Sequence, residues 1–384
     1  PAGALICTLP LDGFVAQTKG DGTSNSLVLL GQLLEMKPDS VKARWLLNIG
    51  HMALGTYPQG VPEEYLVPRE ALGSGYDIGR FYNVAASAGL YTLDNAGGSI
   101  VDDFDNDGLQ DILVSYTHED HRLYRNVDGV TFEDVTERSG LGGKDLIGGP
   151  LTVFDFDNDG LLDVYMTYFG DYLHGALPLE DRNNTNALPN KLFRNRGAMR
   201  FEDVTEGSGT DDTGWCQGVS HTDFDRDGRQ DIIVANDFGR NALLRNLGDG
   251  RFENIASRLR ITKAYHSMNV GITDLNRDNY PDIYFSNIAT LVKDNKYVFP
   301  DANTPLKFGA EAMANMLVKE ANVLYMSQSD RDRLVAYDAS TDIERGETST
   351  GWAWDAEFFD YDNDGDDDLY VVNGTNDYNV YRWI

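Results

Sequence analysis

Beyond residue 76 the chain alternates short apolar runs with acidic or glycine-containing turns. Runs such as Ile112-Leu113-Val114 and Val164-Tyr165-Met166 are short, β-branched or aromatic, and bounded by Asp, Asn and Gly, so they predict strands. The earlier part of the chain has a different period. SNSLVLLGQLLEMKP (24–38) and SVKARWLLNIGHMALG (40–55) place apolar residues at helical spacing. Pro38-Asp39-Ser40 separates them, with Asp39 or Ser40 as an N-cap, and Gly55 can end the second helix. These signals predict an N-terminal segment with a helical hairpin over 1–58, a linker rich in Pro, Gly and Tyr over 59–75, and a mainly β domain over 76–384.

The β domain is repetitive. A twelve-residue pattern reads DFDNDGLQDILV from Asp103, DFDNDGLLDVYM from Asp155, DFDRDGRQDIIV from Asp223, DLNRDNYPDIYF from Asp274 and DYDNDGDDDLYV from Asp360. The copies start 52, 68, 51 and 86 residues apart. Each of the first three is followed by an apolar stretch ending in Arg-Asn (RLYRN, KLFRN, ALLRN) and then by FEDVT, FEDVT or FENIA. The fourth has the weaker VLYMS and LVAYD. Short lead-ins (GGSIV, GGPLTV, QGVSH, NVGIT, DAEFF) suit an inner strand before each acidic loop. Four strands in a unit of about 50 residues predict a blade of a β-propeller or of a similar radial repeat, with five motif-bearing units visible. Insertions at 170–189 and 291–321 explain the longer intervals, and AEAMANMLVKEA within the second suggests a helix. FYNVA (81–85) looks like the third strand of a unit, with no acidic loop before it. It would close the ring on the last blade. The chain is instead expected to be a fragment with further blades beyond Ile384, because Tyr381-Arg382-Trp383-Ile384 stops inside an apparent strand.

The acidic loops carry the chemistry. Carboxylates at positions 1, 3, 5 and 9, with Gly at 6 for the sharp turn and a backbone carbonyl at 7, can wrap a hard divalent cation. The first loop supplies Asp103, Asp105, Asp107, Asp111 and the Leu109 carbonyl. The second supplies Asp155, Asp157, Asp159, Asp163 and Leu161; the third, Asp223, Asp225, Asp227, Asp231 and Arg229. The fourth has Asp274, Asn276, Asp278, Asp282 and Tyr280, with Asn279 in place of Gly, and predicts a weaker site. The fifth has Asp360, Asp362, Asp364, Asp368 and Asp366. Flexible all-oxygen ligation favours Ca²⁺ over Mg²⁺, and no soft ligands accompany the loops. An EF-hand is the alternative, but it needs Glu at position 12, where this chain has Val114, Met166, Val234, Phe285 and Val371, and strands follow the loops. Clustered unpaired carboxylates repel one another, and a divalent ion removes that cost.

Charge narrows the function. With 32 Lys and Arg against 62 Asp and Glu the formal charge is −30, which excludes a basic nucleic-acid binder and a polybasic membrane binder. Five bound Ca²⁺ would bring it to −20. No apolar stretch is long enough for a transmembrane helix. Cys7 and Cys216 are far apart and read as buried free thiols. Loops of this kind need calcium levels that cytosol seldom maintains, so an extracytoplasmic location (secreted, periplasmic or cell surface) is expected.

DxDxDGxxD followed by a strand, at intervals of about 50 residues or more, resembles the FG-GAP/VCBS repeats of integrin-like β-propellers. The fuller unit LLRNLGDGRFENIA (243–256) is similar to the cartilage-acidic-protein branch of that family. The resemblance covers about 76–384. It implies a propeller, usually of seven blades, with one Ca²⁺ on most blades, secretion or surface exposure, and roles in adhesion or in protein and glycan interaction. A minority of the family are enzymes. This chain shows five motifs rather than a full set, and its Gly-Ala-Pro element appears as Gly-Gly-Pro (148–150).

In such a propeller the residues before each inner strand converge on the mouth opposite the acidic loops. Here they include Lys144, Trp215, Tyr265, His266, Trp352 and Trp354, a set suited to a glycan, peptide or small ligand. The expected function is a non-catalytic interaction, adhesion or assembly module, with the helical hairpin docking a second protein or a neighbouring subunit; a third reading is a structural subunit of a surface assembly. The alternative is a lyase, cyclising or dehydrating enzyme using Tyr265, His266 or Lys144 as acid or base at that mouth. Cys216 with His266 would make a nucleophile and base if the fold joined them.

Overall fold

The computed structural model describes residues 21–72, 81–90, 96–117, 120–143, 146–170, 175–178, 183–261, 266–288, 290–293, 296–298, 317–320, 322–330, 333–338 and 353–373. The chain divides into two compact units, with the boundary between Ala86 and Ser87.

The first unit is built on helices α1 (Asp21–Met36) and α2 (Val41–Ala53). The Ser40 hydroxyl accepts the Ala43 N–H at 3.3 Å, the N-cap bond that starts α2. Beyond it Gly55 takes a left-handed φ of +70° and its N–H donates to the Met52 carbonyl at 3.0 Å. Leu34, Ala43, Leu47 and Val61 form the core. Residues after α2 fold back on it. The Asn48 carboxamide accepts from Val67 N–H at 3.0 Å and donates to the Tyr65 carbonyl at 2.9 Å. Arg44 Nη2 donates to the Leu66 carbonyl at 2.7 Å. The segment read as a linker therefore packs on α2 along part of its length, because Asn48 and Arg44 satisfy its backbone.

The second unit is mainly β. Three antiparallel sheets each take four strands in sequence order: β1 (Ala96–Asp102), β2 (Asp111–Tyr116), β3 (Arg122–Asn126) and β4 (Phe132–Asp134); β5 (Gly148–Phe154), β6 (Asp163–Tyr168), β7 (Lys191–Asn195) and β8 (Phe201–Asp203); β9 (Cys216–Thr222), β10 (Asp231–Asn236), β11 (Ala242–Gly248) and β12 (Arg251–Asn254). The fourth begins with β13 (Ser267–Thr273) and β14 (Asp282–Asn287). A three-stranded insertion follows, from β15 (Thr290–Lys293), β16 (Lys296–Val298) and β17 (Leu317–Glu320). The fourth sheet then resumes with β18 (Val323–Asp330) and β19 (Arg333–Asp338). The fifth described sheet pairs β20 (Ala353–Phe359) with β21 (Asp368–Asn373).

The first strands of these sheets stand side by side: β1 packs on β5, β5 on β9, β9 on β13 and β13 on β20. Apolar layers fill the spaces between sheets. Leu113, Val153 and Val164 join the first to the second, Tyr165 and Ile232 the second to the third, and Ile233 and Ile283 the third to the fourth. Tyr284, Leu324 and Ala356 join the fourth to the fifth. The second strands β6, β10 and β14 are buried along their whole length, which explains their continuous apolar runs.

Two expectations are corrected. Residues 81–84 adopt no strand and belong to no sheet among the described residues, and a strand exists only through its ladder. Leu317–Glu320, inside the stretch read as a helix, is strand β17, because pairing with β15 overrides its helical composition. The rest of that stretch lies outside the described residues.

Candidate metal centre

One register builds every acidic loop. In the five sheets that carry an acidic loop, the residue before loop position 1 pairs with position 9: Asp102 with Asp111, Phe154 with Asp163, Thr222 with Asp231, Thr273 with Asp282 and Phe359 with Asp368. The intervening residues must then turn sharply at the sheet's end. Position 6 takes the left-handed backbone, with φ of +88° at Gly108, +85° at Gly160 and Gly228, and +92° at Gly365. Asn279 holds the same conformation at +69°, so the departure in the fourth copy is tolerated.

Backbone N–H groups fix the carboxylates. Asp103 accepts from Asp107 N–H at 3.1 Å and from Gly108 N–H at 2.8 Å. Asp111 accepts from Phe104 N–H at 3.0 Å and from Asn126 N–H at 2.8 Å. Asp155 and Asp163, and Asp223 and Asp231, repeat these bonds on equivalent partners. In the fourth loop Asp274 accepts from Asp278 and Asn279, and Asp282 from Leu275 and Ser327. In the fifth Asp360 accepts from Asp364 and Gly365, and Asp368 from Tyr361.

Positions 1, 3 and 9 converge. The carboxylates of Asp103, Asp105 and Asp111 each bring an oxygen within 4.8 Å of the others, as do Asp155, Asp157 and Asp163, then Asp223, Asp225 and Asp231, and Asp360, Asp362 and Asp368. Position 5 is held differently. Asp107, Asp159, Asp227, Asp278 and Asp364 accept the N–H of position 7, which is Leu109, Leu161, Arg229, Tyr280 and Asp366 in turn.

The Arg-Asn pair that follows three of the loops has a role that its sequence pattern does not show. Arg125 places Nε 2.6 Å from Asp105 and Nη2 2.5 Å from Asp107. Arg194 Nη2 lies 2.5 Å from Asp157 and 3.1 Å from Asp159, and Arg245 Nη2 lies 2.5 Å from Asp225 and 3.2 Å from Asp227. Each Arg spans positions 3 and 5 through the Oδ2 atoms. The Oδ1 atoms of Asp105, Asp157 and Asp225 are buried with no hydrogen-bond partner. A buried anionic oxygen without a donor is costly, and a hard cation is the group that satisfies it. The donor set, all oxygen and anionic, therefore fits Ca²⁺, with positions 1, 3 and 9 supplying carboxylates.

The fourth loop solves the same problem otherwise. Met326 stands where the Arg would be, and Asn276 where the acid would be, so one negative and one positive charge disappear together. Asn276 Nδ2 donates to Asp278 Oδ2 at 3.2 Å, the oxygen that Arg holds elsewhere. The joint change of Asn276 and Met326 was the signal in the sequence that links the two positions.

Burial pushes the Asp163 and Asp231 carboxyls up to about 7, the N–H bonds they accept pull back, and the neighbouring loop carboxylates push further. Asp111 and Asp282 move upward for the same first reason.

The FG-GAP-like repeat family matches residues 103–166, 179–234 and 223–285, which contain the first four loops. The chain carries FG-GAP-like repeats. Cartilage acidic protein 1 of Xenopus tropicalis is 30% identical over 190 residues, 48% of this chain and 25% of that protein. The Homo sapiens protein of the same name is 36% identical over 105 residues, 26% of this chain and 16% of that protein. The chain thus matches a quarter or less of these relatives' length. Among solved structures, BBS1N in complex with ARL6DN is similar at 9% identity and a TM-score of 0.35, over 73% of this chain and 77% of that one.

At the other end of the sheets, two of the three described ligand candidates, Trp215 and His266, are buried, and the third, Trp354, is exposed. Trp215 is fully buried. Its ring meets Phe169 and Phe238 edge-on at 5.2 and 5.8 Å, and its Nε1 donates to Asn186 Oδ1 at 2.8 Å. The expectation of a ligand-facing Trp215 is corrected: its apolar body and N–H are both satisfied inside the protein. His266 is buried as well, with Nδ1 2.6 Å from Asp237 Oδ1. Cys216 is a buried free thiol pushed up to about 12 by burial, so it stays protonated and is a poor nucleophile at neutral pH. Trp354 is 41% exposed. Lys144, Tyr265 and Trp352 lie outside the described residues.

Proposed function

We infer that this chain is a calcium-binding β-propeller module acting outside the cytoplasm in adhesion, interaction or assembly with a protein or glycan partner. The reading of the sheets as blades of a closed ring rests on their sequence-ordered strands and side-by-side first strands. The observation that carries the calcium reading is the set of three buried, partnerless oxygens, on Asp105, Asp157 and Asp225, each within a converging carboxylate triad. FG-GAP-like repeats and the likeness to cartilage acidic protein 1 support an extracellular interaction role. No helix among the described residues is long and apolar enough to cross a membrane.

In this role the ion is structural. It would sit among positions 1, 3 and 9 and neutralise their mutual repulsion, while the backbone N–H groups and the Arg keep the carboxylates aimed. Holding the loop rigid keeps the ends of both strands in register, and that rigidity presents a fixed surface to a partner. Melting the chelator-treated protein with and without millimolar calcium chloride tests this. Ions binding only the folded state should raise Tm by on the order of 10 °C. An unchanged Tm with no heat of calcium binding would remove the reading.

A further inference from the structure

The acidic loops are tied to one another. Asn195, the Asn of the second Arg-Asn pair, donates its N–H to Asp163 Oδ1 at 2.7 Å, inside its own loop. Its Nδ2 also reaches two carbonyls: Leu162 in the same loop at 3.0 Å and Phe104 in the preceding loop at 2.9 Å. Phe104 sits between Asp103 and Asp105, two of the converging carboxylates. Asn246 repeats the arrangement one sheet later, donating to Gln230 at 3.2 Å and to Phe156, in the loop before, at 2.8 Å. Both side chains are fully buried.

A second tie runs the other way. Asn106, between Asp105 and Asp107, donates Nδ2 to the Gly160 carbonyl in the next loop at 3.0 Å. Asn158 donates to the Gly228 carbonyl at 3.1 Å. The N–H of each receiving glycine is bonded to the position-1 carboxylate of its loop. Each junction among the first three loops is therefore held twice, through backbone groups that adjoin ion ligands.

The next junction lacks this pair. Ser327 replaces the Asn and keeps only the N–H bond to Asp282, and its buried Oγ has no hydrogen-bond partner. Arg226 meets the Tyr280 ring at 5.5 Å in place of an amide-to-carbonyl bond.

Resting on the calcium reading, we propose that Asn195 and Asn246, with Asn106 and Asn158, are positioning residues that make calcium binding cooperative across the first three loops and leave the fourth outside that group. An ion that orders one loop fixes the carbonyls and amides it shares with its neighbours, so the neighbour binds with less left to order.

Calcium chloride titrated into the intact metal-free protein, followed by calorimetry and by competition with a chromophoric chelator, tests the coupling. The expected Hill coefficient is roughly 1.5 to 2.5 for the tight sites. Asn195→Ser with Asn246→Ser copies the fourth repeat, which folds with Ser at that position. These changes should lower the coefficient towards 1, the Asn106 and Asn158 ties remaining, with the number of sites unchanged. Asn158→Gly, at an exposed left-handed position, removes one tie without touching the core and should lower the coefficient part of the way. Independent binding in the intact protein, or cooperativity unchanged in all variants, overturns the coupling and leaves the calcium reading standing. Absence of calcium binding at millimolar concentration overturns both.

Discussion

Arg194 Nη2 lies 2.5 Å from Oδ2 of Asp157, while Oδ1 of the same carboxylate is buried with no hydrogen-bond partner. One oxygen is committed to a resident cation and the other is left for a second. The guanidinium stabilises the metal-free loop and repels an incoming Ca²⁺. Arg194→Met, which copies Met326 of the fourth repeat, separates these effects. The metal-free protein should lose on the order of 1 kcal/mol, because a half-buried carboxylate loses its partner. Calcium should bind that loop about tenfold more tightly, because a like charge a few ångströms from the ion is gone. Chelator-state melting and calcium calorimetry on the same variant read the two signs.

The fourth loop allows the reverse experiment. Asn276→Asp restores the acid without its Arg, leaving a four-carboxylate loop with no brace. Its metal-free stability should fall by about 1 kcal/mol and its calcium affinity should rise. Adding Met326→Arg should recover most of the metal-free loss. A double-mutant cycle on Tm in chelator gives the coupling, expected at about 1 kcal/mol. Additive single effects would show that the two positions do not interact.

These relationships mark how far the sequence alone could be read. The loops were legible because a nine-residue turn is local: spacing, Gly and Asp together specify it. The inner strands were legible from their lead-ins. The Arg-Asn pair was visible as a repeated string, but its task depends on third-strand register, which sets Arg194 against Asp157, 37 residues earlier, and Asn195 against Phe104, 91 residues earlier. Trp215 was misjudged because an aromatic residue before an inner strand suits a rim and a core equally. What decides is Gly170, far away in sequence, whose missing side chain makes the space.

That space is tight. A Cβ placed on Gly170 would lie 1.7 Å from Cζ3 of Trp215 and 1.9 Å from Cη2, so the ring sits directly on the glycine backbone. Gly170→Ala should therefore displace the indole from between Phe169 and Phe238. The expected cost is about 1–3 kcal/mol, the range for overpacking. Near-ultraviolet circular dichroism should change with Tm, since a fully buried Trp in an asymmetric aromatic cluster is being moved. An unaltered aromatic spectrum and Tm would show that the ring is not confined there.

Acid should find a specific weak point at His121. The side chain is fully buried, and its Nδ1 accepts the Tyr116 N–H at 3.1 Å, a bond that only the neutral ring can make. Burial lowers its pKa to about 4, Asp120 opposing the shift and Lys191 adding to it. A folded pKa below the unfolded value means that the native state binds the neutral ring. The stability gained from excluding the proton is complete above pH 6.5 and is lost as pH falls towards 4. The full span amounts to about 3 kcal/mol. Calcium release also destabilises acidified loops, so the comparison is made in chelator throughout. His121→Gln keeps an acceptor for the Tyr116 N–H but cannot titrate. Its Tm should start lower near pH 7 and fall less between pH 6.5 and 4 than that of the parent protein. Parallel curves for the two proteins would mean that the buried ring has no part in acid unfolding.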